Sequence, residues 1–251
     1  MHQRREIVDA LAYWLRAGCA RRLLPHDLPP WQTACRYWRT WRPGGAGSRS
    51  WPCCGNGNAS GWAAIRPRAR RSWTARASRP PKKGVHGYDG GKKVNGRKRR
   101  LLAGTRGIVL RVYVTAAGTG DRDGAVVLLD SIRQDFPRLA FGWADQGYRG
   151  PFLDWARQAA GITLEVVARR DGGMRRNWAP AGTPLRVVPR FAVVPRRWVV
   201  ERTFAWLGRY RRLAKDYEYL AATSENAVYL AMTLTLAHPH AGGVPRTEPR
   251  R

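Results

Sequence analysis

The alternation of strand-like and helix-like patterns between residues 84 and 238 restricts the fold more than any other feature of the sequence. In GIVLRVYVT, apolar residues recur at every second position from Ile108 to Val114, which predicts a strand with one buried face. The next segment, GDRDGAVVLLDSIRQDF, has apolar residues at helical spacing and an acid, Asp123, that can cap the helix. LAFGWAD is then a short apolar run with the length of a buried strand.

The same alternation continues to the end of this region. PFLDWARQA predicts a helix and TLEVVA a strand, while RRWVVERTFAWLGRYRRLAKDY and SENAVYLAMTLTLAH predict two further helices. Strands that alternate with helices indicate an α/β domain in which helices cover a sheet. The tail from 239 to 251 is rich in Pro, Gly and Arg and is predicted to be disordered.

Residues 1–42 form a second, helical region. Apolar residues recur at helical spacing from Ile7 to Leu15, LPHDLPP supplies a turn, and WQTACRYWRTWR places aromatic residues between arginines. Two short helices around a turn are compatible with a small DNA-binding unit. The same pattern equally fits a packing subdomain with a basic surface, and the sequence leaves both interpretations open.

Residues 43–83 keep no helical or strand period for more than a few positions, and no acid occurs between Asp27 and Asp89. Such a composition ordinarily indicates a disordered basic linker. Scattered tryptophans and the adjacent pair Cys53 and Cys54 are nevertheless unusual in a linker. The segment is therefore predicted to be aberrant as well as disordered.

Charge and composition restrict the partners and the compartment. The chain has 46 Lys and Arg against 17 Asp and Glu, a formal net charge of +29, which favours a polyanionic partner such as nucleic acid. No apolar run reaches the roughly 18 residues of a membrane helix, and the N-terminus lacks a secretory signal pattern. The four cysteines lack metal-site or disulfide spacing. A cytoplasmic nucleic-acid-binding protein is expected, and a non-enzymatic one is an alternative on charge alone.

Two acids in the α/β region have positions that suit chemistry. Asp145 closes a predicted buried strand, and the ends of strands are where α/β sheets place their functional groups. Glu201 lies on a predicted helix among apolar residues, where a carboxylate needs a partner. A surface ion pair between Arg197 and Glu201 is the structural alternative.

Three motifs, GYDGGKKVNGRKR, ADQGYRG and WVVERTFAWLGRYRRLAKDYE, resemble the bacterial insertion-sequence transposases of the DDE class. LLPHDLPPWQT supports the same family, and the resemblance covers roughly residues 1–42 and 84–238. It implies an RNase H-like mixed sheet flanked by helices, with a small helical N-terminal region. It also implies cleavage and joining of double-stranded DNA at the terminal inverted repeats of a mobile element and at target DNA. A homodimer on DNA and association with the bacterial nucleoid are further expectations.

The family's site contains three carboxylates that hold two divalent metal ions, usually Mg²⁺ or Mn²⁺. By position, Asp145 matches the second Asp, Glu201 matches the Glu, and Arg197 matches an arginine four residues before the Glu. Gly208 stands where related branches carry a lysine. The first Asp is absent from its expected place before the GYDGGKK turn, and Asp89 belongs to that turn and is not taken as its replacement.

The basic residues of the same motifs are predicted to contact DNA phosphate. They are Lys92, Lys93, Arg97, Lys98, Arg99, Arg197, Arg202 and Arg209.

A shifted reading frame accounts for the missing Asp. Trp has the single codon TGG and every Thr codon begins with AC, so the bases for Trp73 and Thr74 contain GAC, an Asp codon. With permitted codons, the same shift from Arg71 to Pro80 can spell IVDSQSVKT, which resembles the family's first-strand motif. The prediction is that opposite single-base changes near Pro43 and Lys83 have corrupted this first strand and exposed the edge of its neighbour.

The encoded chain is therefore expected to be a transposase by descent that lacks catalytic activity. An active enzyme in which another acid supplies the third ligand is a second hypothesis. A basic, non-enzymatic nucleic-acid-binding protein is a third.

Overall fold

The structure is a computed structural model that describes residues 2–41, 70–78, 84–91, 93–130, 132–167 and 198–237. The described helices and strands are as follows in chain order: α1 Arg4–Ala17, α2 Trp31–Thr40, β1 Arg70–Ser78, β2 Gly87–Asp89, β3 Val94–Ala103, β4 Val109–Ala116, α3 Asp121–Leu129, α4 Ile132–Asp135, β5 Phe141–Ala144, α5 Pro151–Gln158, β6 Thr163–Val166, α6 Trp198–Gly208, α7 Arg211–Ala214 and α8 Ala221–Ala237. Two 3-10 turns lie at Arg21–Leu23 and Gln146–Tyr148. The tail predicted to be disordered, 239–251, lies outside the described residues.

One mixed sheet organises the chain, as the alternating pattern predicted. Its strands lie in the order β4-β3-β1-β5-β6, and the short strand β2 pairs with the start of β3. β3 runs antiparallel to both β1 and β4, whereas β5 runs parallel to β1 and β6 runs parallel to β5. The first of the described strands, β1, therefore lies in the middle of the sheet, between an antiparallel half and a parallel half.

The central position of β1 corrects one prediction. Residues 43–83 were expected to be disordered, but residues 70–78 form a strand that pairs with two neighbours. Strand pairing uses backbone N–H and C=O groups, which every residue except proline supplies whatever its side chain. The expectation that β3 exposes an edge here is wrong for the same reason, because β3 pairs with β1 from Ser72 to Ser78. The remainder of the segment, 43–69 and 79–83, lies outside the described residues.

Helices cover both faces of this sheet because consecutive residues of a strand point to opposite sides. Leu101 of β3 belongs to a core that is formed with α1, α2, α6, α7 and α8. Leu102, the next residue, belongs to a second core that is formed with α3, α4, α5 and the end of β5. Within the described residues, none of the helices has both the length and the apolar character that a membrane span requires.

The N-terminal helices are part of the first core. α1 packs against α2, α7 and α8, and its buried residue Trp14 contacts Trp38 of α2 edge to face at 5.1 Å between ring centroids. The guanidinium groups of Arg21 and Arg212 lie on Trp14 at 4.8 and 4.9 Å, and both arginines also bind Glu218. This region therefore packs on the sheet domain, and its interpretation as a DNA-binding unit stays a prediction.

Side chains from α8 complete the open edge of the sheet at β4. The backbone N–H groups of Val112 and Val114 donate to the Tyr229 hydroxyl at 3.1 Å and to Glu225 Oε1 at 2.9 Å. Glu225 and Tyr229 are four residues apart, so they lie on one face of the helix, in step with alternate residues of the strand. The edge that would otherwise pair with another chain is thereby covered by a helix.

Candidate active site

Asp145 lies directly after β5, at the end of the short apolar strand from which the sequence predicted it. Its side chain is half-buried, and its backbone carbonyl accepts a hydrogen bond from the Tyr148 N–H at 3.1 Å, which closes the 3-10 turn. The second core includes the buried side chains of Tyr148 and Phe152, which hold this turn in place by packing there. A carboxylate is thus held at the strand end while it keeps access to solvent.

The register of β1 brings an informative pair of residues beside Asp145. Ser72 of β1 pairs with Trp143 of β5, and the two strands are parallel. Trp73 and Thr74 follow Ser72 along β1, and Ala144 and Asp145 follow Trp143 along β5, so both pairs of residues come just after the last paired positions. The residues whose codons contain a shifted Asp triplet thus lie towards the same end of the sheet as the second acid of the predicted site.

Glu201 lies in the first turn of α6, and its side chain is exposed. The opposite face of the helix is buried through Val200, Phe204 and Leu207, which belong to the first core. α6 packs against both β1 and β3. Asp145 and Glu201 therefore come from two elements that both adjoin β1, one at its side and one on its face.

Polar contacts fix α6 to the turn between β3 and β4. The Thr203 hydroxyl, which is fully buried, donates to the Gly107 carbonyl at 2.7 Å, and Arg202 donates to the Arg106 carbonyl at 2.9 Å. The Arg202 guanidinium also lies between the rings of Trp198 and Trp206, at 4.4 and 4.8 Å. Arg202 was predicted to bind DNA, and these contacts give it a structural role.

A cluster of charged side chains lies next to the Asp145 turn on the second-core side. Asp121, at the start of α3, pairs with Lys98 at 3.2 Å and with Arg100 at 3.6 Å, and Lys98 also pairs with Asp89 at 3.1 Å. Burial raises the pKa of the Tyr148 hydroxyl well above its usual range, and the carboxylates of Asp121 and Asp145 add to the shift. Tyr148 is therefore a neutral hydroxyl at this turn.

Sequence reasoning missed Arg100 and Asp121. Arg100 is buried, donates to the carbonyls of Thr119 and Gly120 at 2.9 Å, and bonds the Thr115 hydroxyl. A side chain at Gly124 would come within 2.2 Å of the Arg100 guanidinium carbon, so the helix passes this arginine only because residue 124 is glycine. The sequence signal was the glycine inside a helical pattern, which indicates a close approach.

Three members of the predicted DNA-binding cluster, Arg97, Lys98 and Arg99, lie on β3 and have protein partners, and their contact with DNA stays a prediction. All three are buried, because helices and loops cover both faces of β3. Arg97 donates to the carbonyls of Val85, Glu218 and Tyr219 at 2.6 Å each. Arg99 donates to the carbonyls of Leu213 and Lys215 at 2.6 and 3.1 Å.

The other predicted DNA-binding residues have different positions. Lys93 is exposed at the hairpin turn, where its backbone has a φ of 52°. Arg209 is exposed just after α6. Lys92 and Arg197 lie outside the described residues.

The acids present do not fit two divalent metal ions. Within the ranges that the structure describes, no three His, Cys, Asp or Glu side chains come together in a way that could hold a metal. Asp121 is near the Asp145 turn, but Lys98 and Arg100 already offset its charge. Asp145 and Glu201 remain as candidate oxygen donors, and two carboxylates are a weak ligand set for two such ions. No metal-dependent step is therefore assigned to the encoded chain.

Comparison with protein families accounts for nearly the whole chain. Residues 48–236 match the transposase DDE domain, and residues 1–50 match the putative transposase of the IS4/5 family. No curated protein matches the chain. The DDE match covers well over half of the sequence and includes both Asp145 and Glu201. The predicted membership is confirmed: the chain belongs to the DDE transposases of insertion sequences.

Proposed function

We propose that this transposase has an RNase H-like core, binds the terminal inverted repeats of its element, and in its encoded form does not cut or join DNA. The family implies a DNA substrate, and its enzymes generally use divalent metal ions. The observation that carries the proposal is that β1 contains no acid, although it pairs with β5, the strand that ends just before Asp145.

The topology of the sheet supports the RNase H-like assignment. Three antiparallel strands, β1, β3 and β4, are followed along the chain by β5 and β6, which are added in parallel on the other side of β1. In such a sheet, the ends of the central strands β1 and β5 meet at one edge, where ligands bind in open α/β sheets. This agrees with a site formed by β1, Asp145 and Glu201.

The composition of β1 supports a shifted reading frame. A strand with neighbours on both sides and helices on both faces normally reads as an apolar run. β1 instead reads RRSWTARAS, whereas the shifted reading IVDSQSVKT begins with two β-branched apolar residues before the Asp. That Asp falls at position 73 or 74, directly after Ser72, which pairs with Trp143 two residues before Asp145. The restored strand would thus supply two β-branched apolar residues and the missing carboxylate.

The loss of one carboxylate accounts for inactivity. Metal ions that share a site need anionic oxygens to offset their mutual repulsion, and functional groups must be held to within about half an ångström. Without a ligand on β1, Asp145 and Glu201 lack the third member of the family's set. A chain of this net charge retains the means to bind DNA, and we assign the exposed Lys93 and Arg209 to that role.

The N-terminal region contributes to the proposed DNA surface on its outer side. Arg22, Arg36 and Arg39 are exposed, while α2 buries Ala34 and Trp38 in the core. A packing role on one face and a DNA role on the other are compatible, because the two sets of residues differ. We also retain the expected homodimer on DNA and the cytoplasmic, nucleoid-associated location as parts of this proposal.

The test is a chain in which residues 43–83 are replaced by their shifted reading. The encoded and rebuilt chains are compared for cleavage of DNA that carries the element's ends, in Mg²⁺ and in Mn²⁺. We expect cleavage from the rebuilt chain only, and none from the rebuilt chain with Asp145→Asn. Cleavage by the encoded chain that Asp145→Asn abolishes would establish the second hypothesis, an active enzyme with another acid as ligand.

The gene itself gives an independent check. Its nucleotide sequence must spell IVDSQSVKT, or a close variant, in the shifted frame across Arg71 to Pro80. A gene that spells something else removes the frameshift explanation. End-specific DNA binding by the encoded chain separates a transposase by descent from a non-enzymatic protein that binds any nucleic acid.

A further inference from the structure

The hairpin of β2 and β3 exposes apolar side chains where the sequence predicted a cationic surface. Tyr88 is 60% exposed and Val85 is 66% exposed. The loop before α8 adds Tyr219 at 63% and Leu220 at 47%. We call these four residues the aromatic platform. Contiguous exposed apolar patches mark interaction sites.

A buried arginine holds the two halves of the platform together. The Arg97 guanidinium donates to the Val85 carbonyl on the hairpin and to the Tyr219 carbonyl on the loop, each at 2.6 Å. Gly84 lies so close to the loop that a side chain there would come within 2.6 Å of the Tyr219 carbonyl oxygen. The exposed rings are therefore attached to backbone that is fixed from below, which lowers the entropic cost of binding a ligand.

The charge around the platform favours an anionic partner. The acids that lie next to these residues in the chain are each paired with a cation: Asp89 with Lys98 at 3.1 Å, Asp216 with Arg97 at 3.6 Å, and Glu218 with Arg212 at 2.7 Å. The exposed cations nearby in the chain are Lys93, Arg211 and Lys215. Exposed aromatic side chains together with exposed cations are the composition that single-stranded nucleic acid binds.

The platform lies beyond the edge of the sheet that carries the candidate site. β1 runs past Ser72, which pairs with Trp143 two residues before Asp145, and on from Thr74 to Ser78, which pairs with Arg97 of β3. Those four residues of strand span about 13 Å, and the hairpin continues in the same direction. A strand of DNA with its end at Asp145 can therefore reach the platform within a few nucleotides.

We propose that the aromatic platform binds unpaired nucleotides of a DNA strand next to the candidate active site. In a duplex the bases stack on each other, so a tyrosine ring finds a free base face only where the strands are separated. Arg97, Lys98 and Arg99 of the hairpin are buried, so phosphate contact by the described hairpin falls to Lys93 at its turn, and the exposed ring of Tyr88 offers stacking. This inference rests on the proposed DNA-binding function and adds the kind of DNA structure that it recognises.

The test compares single-stranded and duplex DNA with the full encoded chain. The probes are a fluorescent oligothymidylate of about 12 nucleotides, within the site size of single-strand-binding proteins, and a duplex of the same length. Tyr88→Ala with Tyr219→Ala should weaken binding of the single strand by about tenfold or more, since each stacked base contributes substantially. Binding of the duplex should stay unchanged.

Three control proteins make the result specific. Tyr13→Ala removes a tyrosine that is 43% exposed on α1, and it should leave both affinities unchanged. Tyr88→Phe with Tyr219→Phe keeps the rings and should keep single-strand binding. Lys93→Ala should lower the slope of log affinity against log salt, whereas the tyrosine variants should not, because stacking releases no counterions.

Each other outcome has a definite meaning. If the encoded chain binds both probes and the double alanine variant binds the single strand equally well, the platform proposal is wrong and the DNA-binding proposal stands. If the encoded chain binds neither probe, both proposals fail. If the alanine variants change the sedimentation of the protein from dimer to monomer without changing single-strand affinity, the platform is an interface between copies of the chain.

Discussion

Two neighbouring strands in the middle of the sheet, β1 and β3, are both rich in arginine, but they come from stretches of different composition, and in β3 the charges have described partners. Its four consecutive cations, residues 97 to 100, bind carbonyl and carboxylate groups from three distant segments. β1 comes from a stretch that has no acid between Asp27 and Asp89 and no alternating pattern. A run of basic residues in a buried strand can therefore be explained only when the groups that bind those residues are known.

The largest effect that tests this comparison is expected from Arg97→Ala. Arg97 is 1% exposed, and its removal leaves the buried Asp216 carboxylate without this cation at 3.6 Å and three carbonyl groups without the Arg97 donors. Breaking a buried ion pair by removing one partner costs about 3–5 kcal/mol. The free energy of unfolding from a denaturant titration should fall by about that amount.

The control is Arg39→Ala, which removes an exposed arginine at the end of α2 and should change stability by less than about 0.5 kcal/mol. If the two variants have the same free energy of unfolding, the buried contacts of Arg97 contribute nothing measurable to stability.

The next largest effect is expected in β1 itself. Replacement of residues 43–83 by the shifted reading places Ile and Val in the first part of the central strand, and burial of each contributes about 1.5–3 kcal/mol. The rebuilt chain should therefore unfold at a higher denaturant concentration than the encoded chain, by about 3 kcal/mol or more. A rebuilt chain that is less stable than the encoded one would show that β1 is adapted to its present residues.

A smaller effect is expected from Gly124→Ala, which tests the fit around a β3 cation. The new methyl group would lie 2.2 Å from the Arg100 guanidinium carbon, and overpacking of this kind costs about 1–3 kcal/mol. Arg100→His in the same chain shortens the side chain and removes the overlap with the new methyl group, so the two substitutions should be non-additive in a double-mutant cycle. Additive losses would place the strain elsewhere.

Local patterns in the sequence were sufficient for much of the fold. The strand from Val109, the apolar strand that ends before Asp145, and the amphipathic helix at Ile7 to Leu15 follow from the spacing of apolar residues within one element. The partners of β3 could not be predicted, because Arg97 and Glu218 are 121 residues apart in the sequence and meet only in the folded chain. Adjacent cations were therefore interpreted as a DNA surface.

The strand β1 was missed for a different reason. Its own residues carry no alternation, and it exists through hydrogen bonds that β3 and β5 supply. Of the candidate site, Asp145 could be predicted because a strand ends there, and Glu201 because it interrupts an apolar helix. The cluster of Asp121, Arg100 and Tyr148 could not, since no local feature links a helix start to a strand and a turn.

The smallest effect concerns Glu225, an acid of α8 that binds the backbone of the edge strand β4. Glu225 accepts a hydrogen bond from the Val114 N–H at 2.9 Å, but burial raises the pKa of its carboxyl above the ordinary value of 4.5 because it disfavours the charged form. The unfolded chain then loses this proton at a lower pH than the folded chain does. As pH rises above 4.5, the contribution of Glu225 to stability therefore falls, until the folded group is ionised as well.

Glu225→Gln keeps an acceptor for Val114 but does not titrate. The unfolding free energy of the encoded chain minus that of the Gln variant should decrease as pH rises from 4.5 towards neutrality, as measured by denaturant titrations at each pH. An increase over that range would mean that the folded state prefers the carboxylate, as expected for an acid with a cation partner like those of β3.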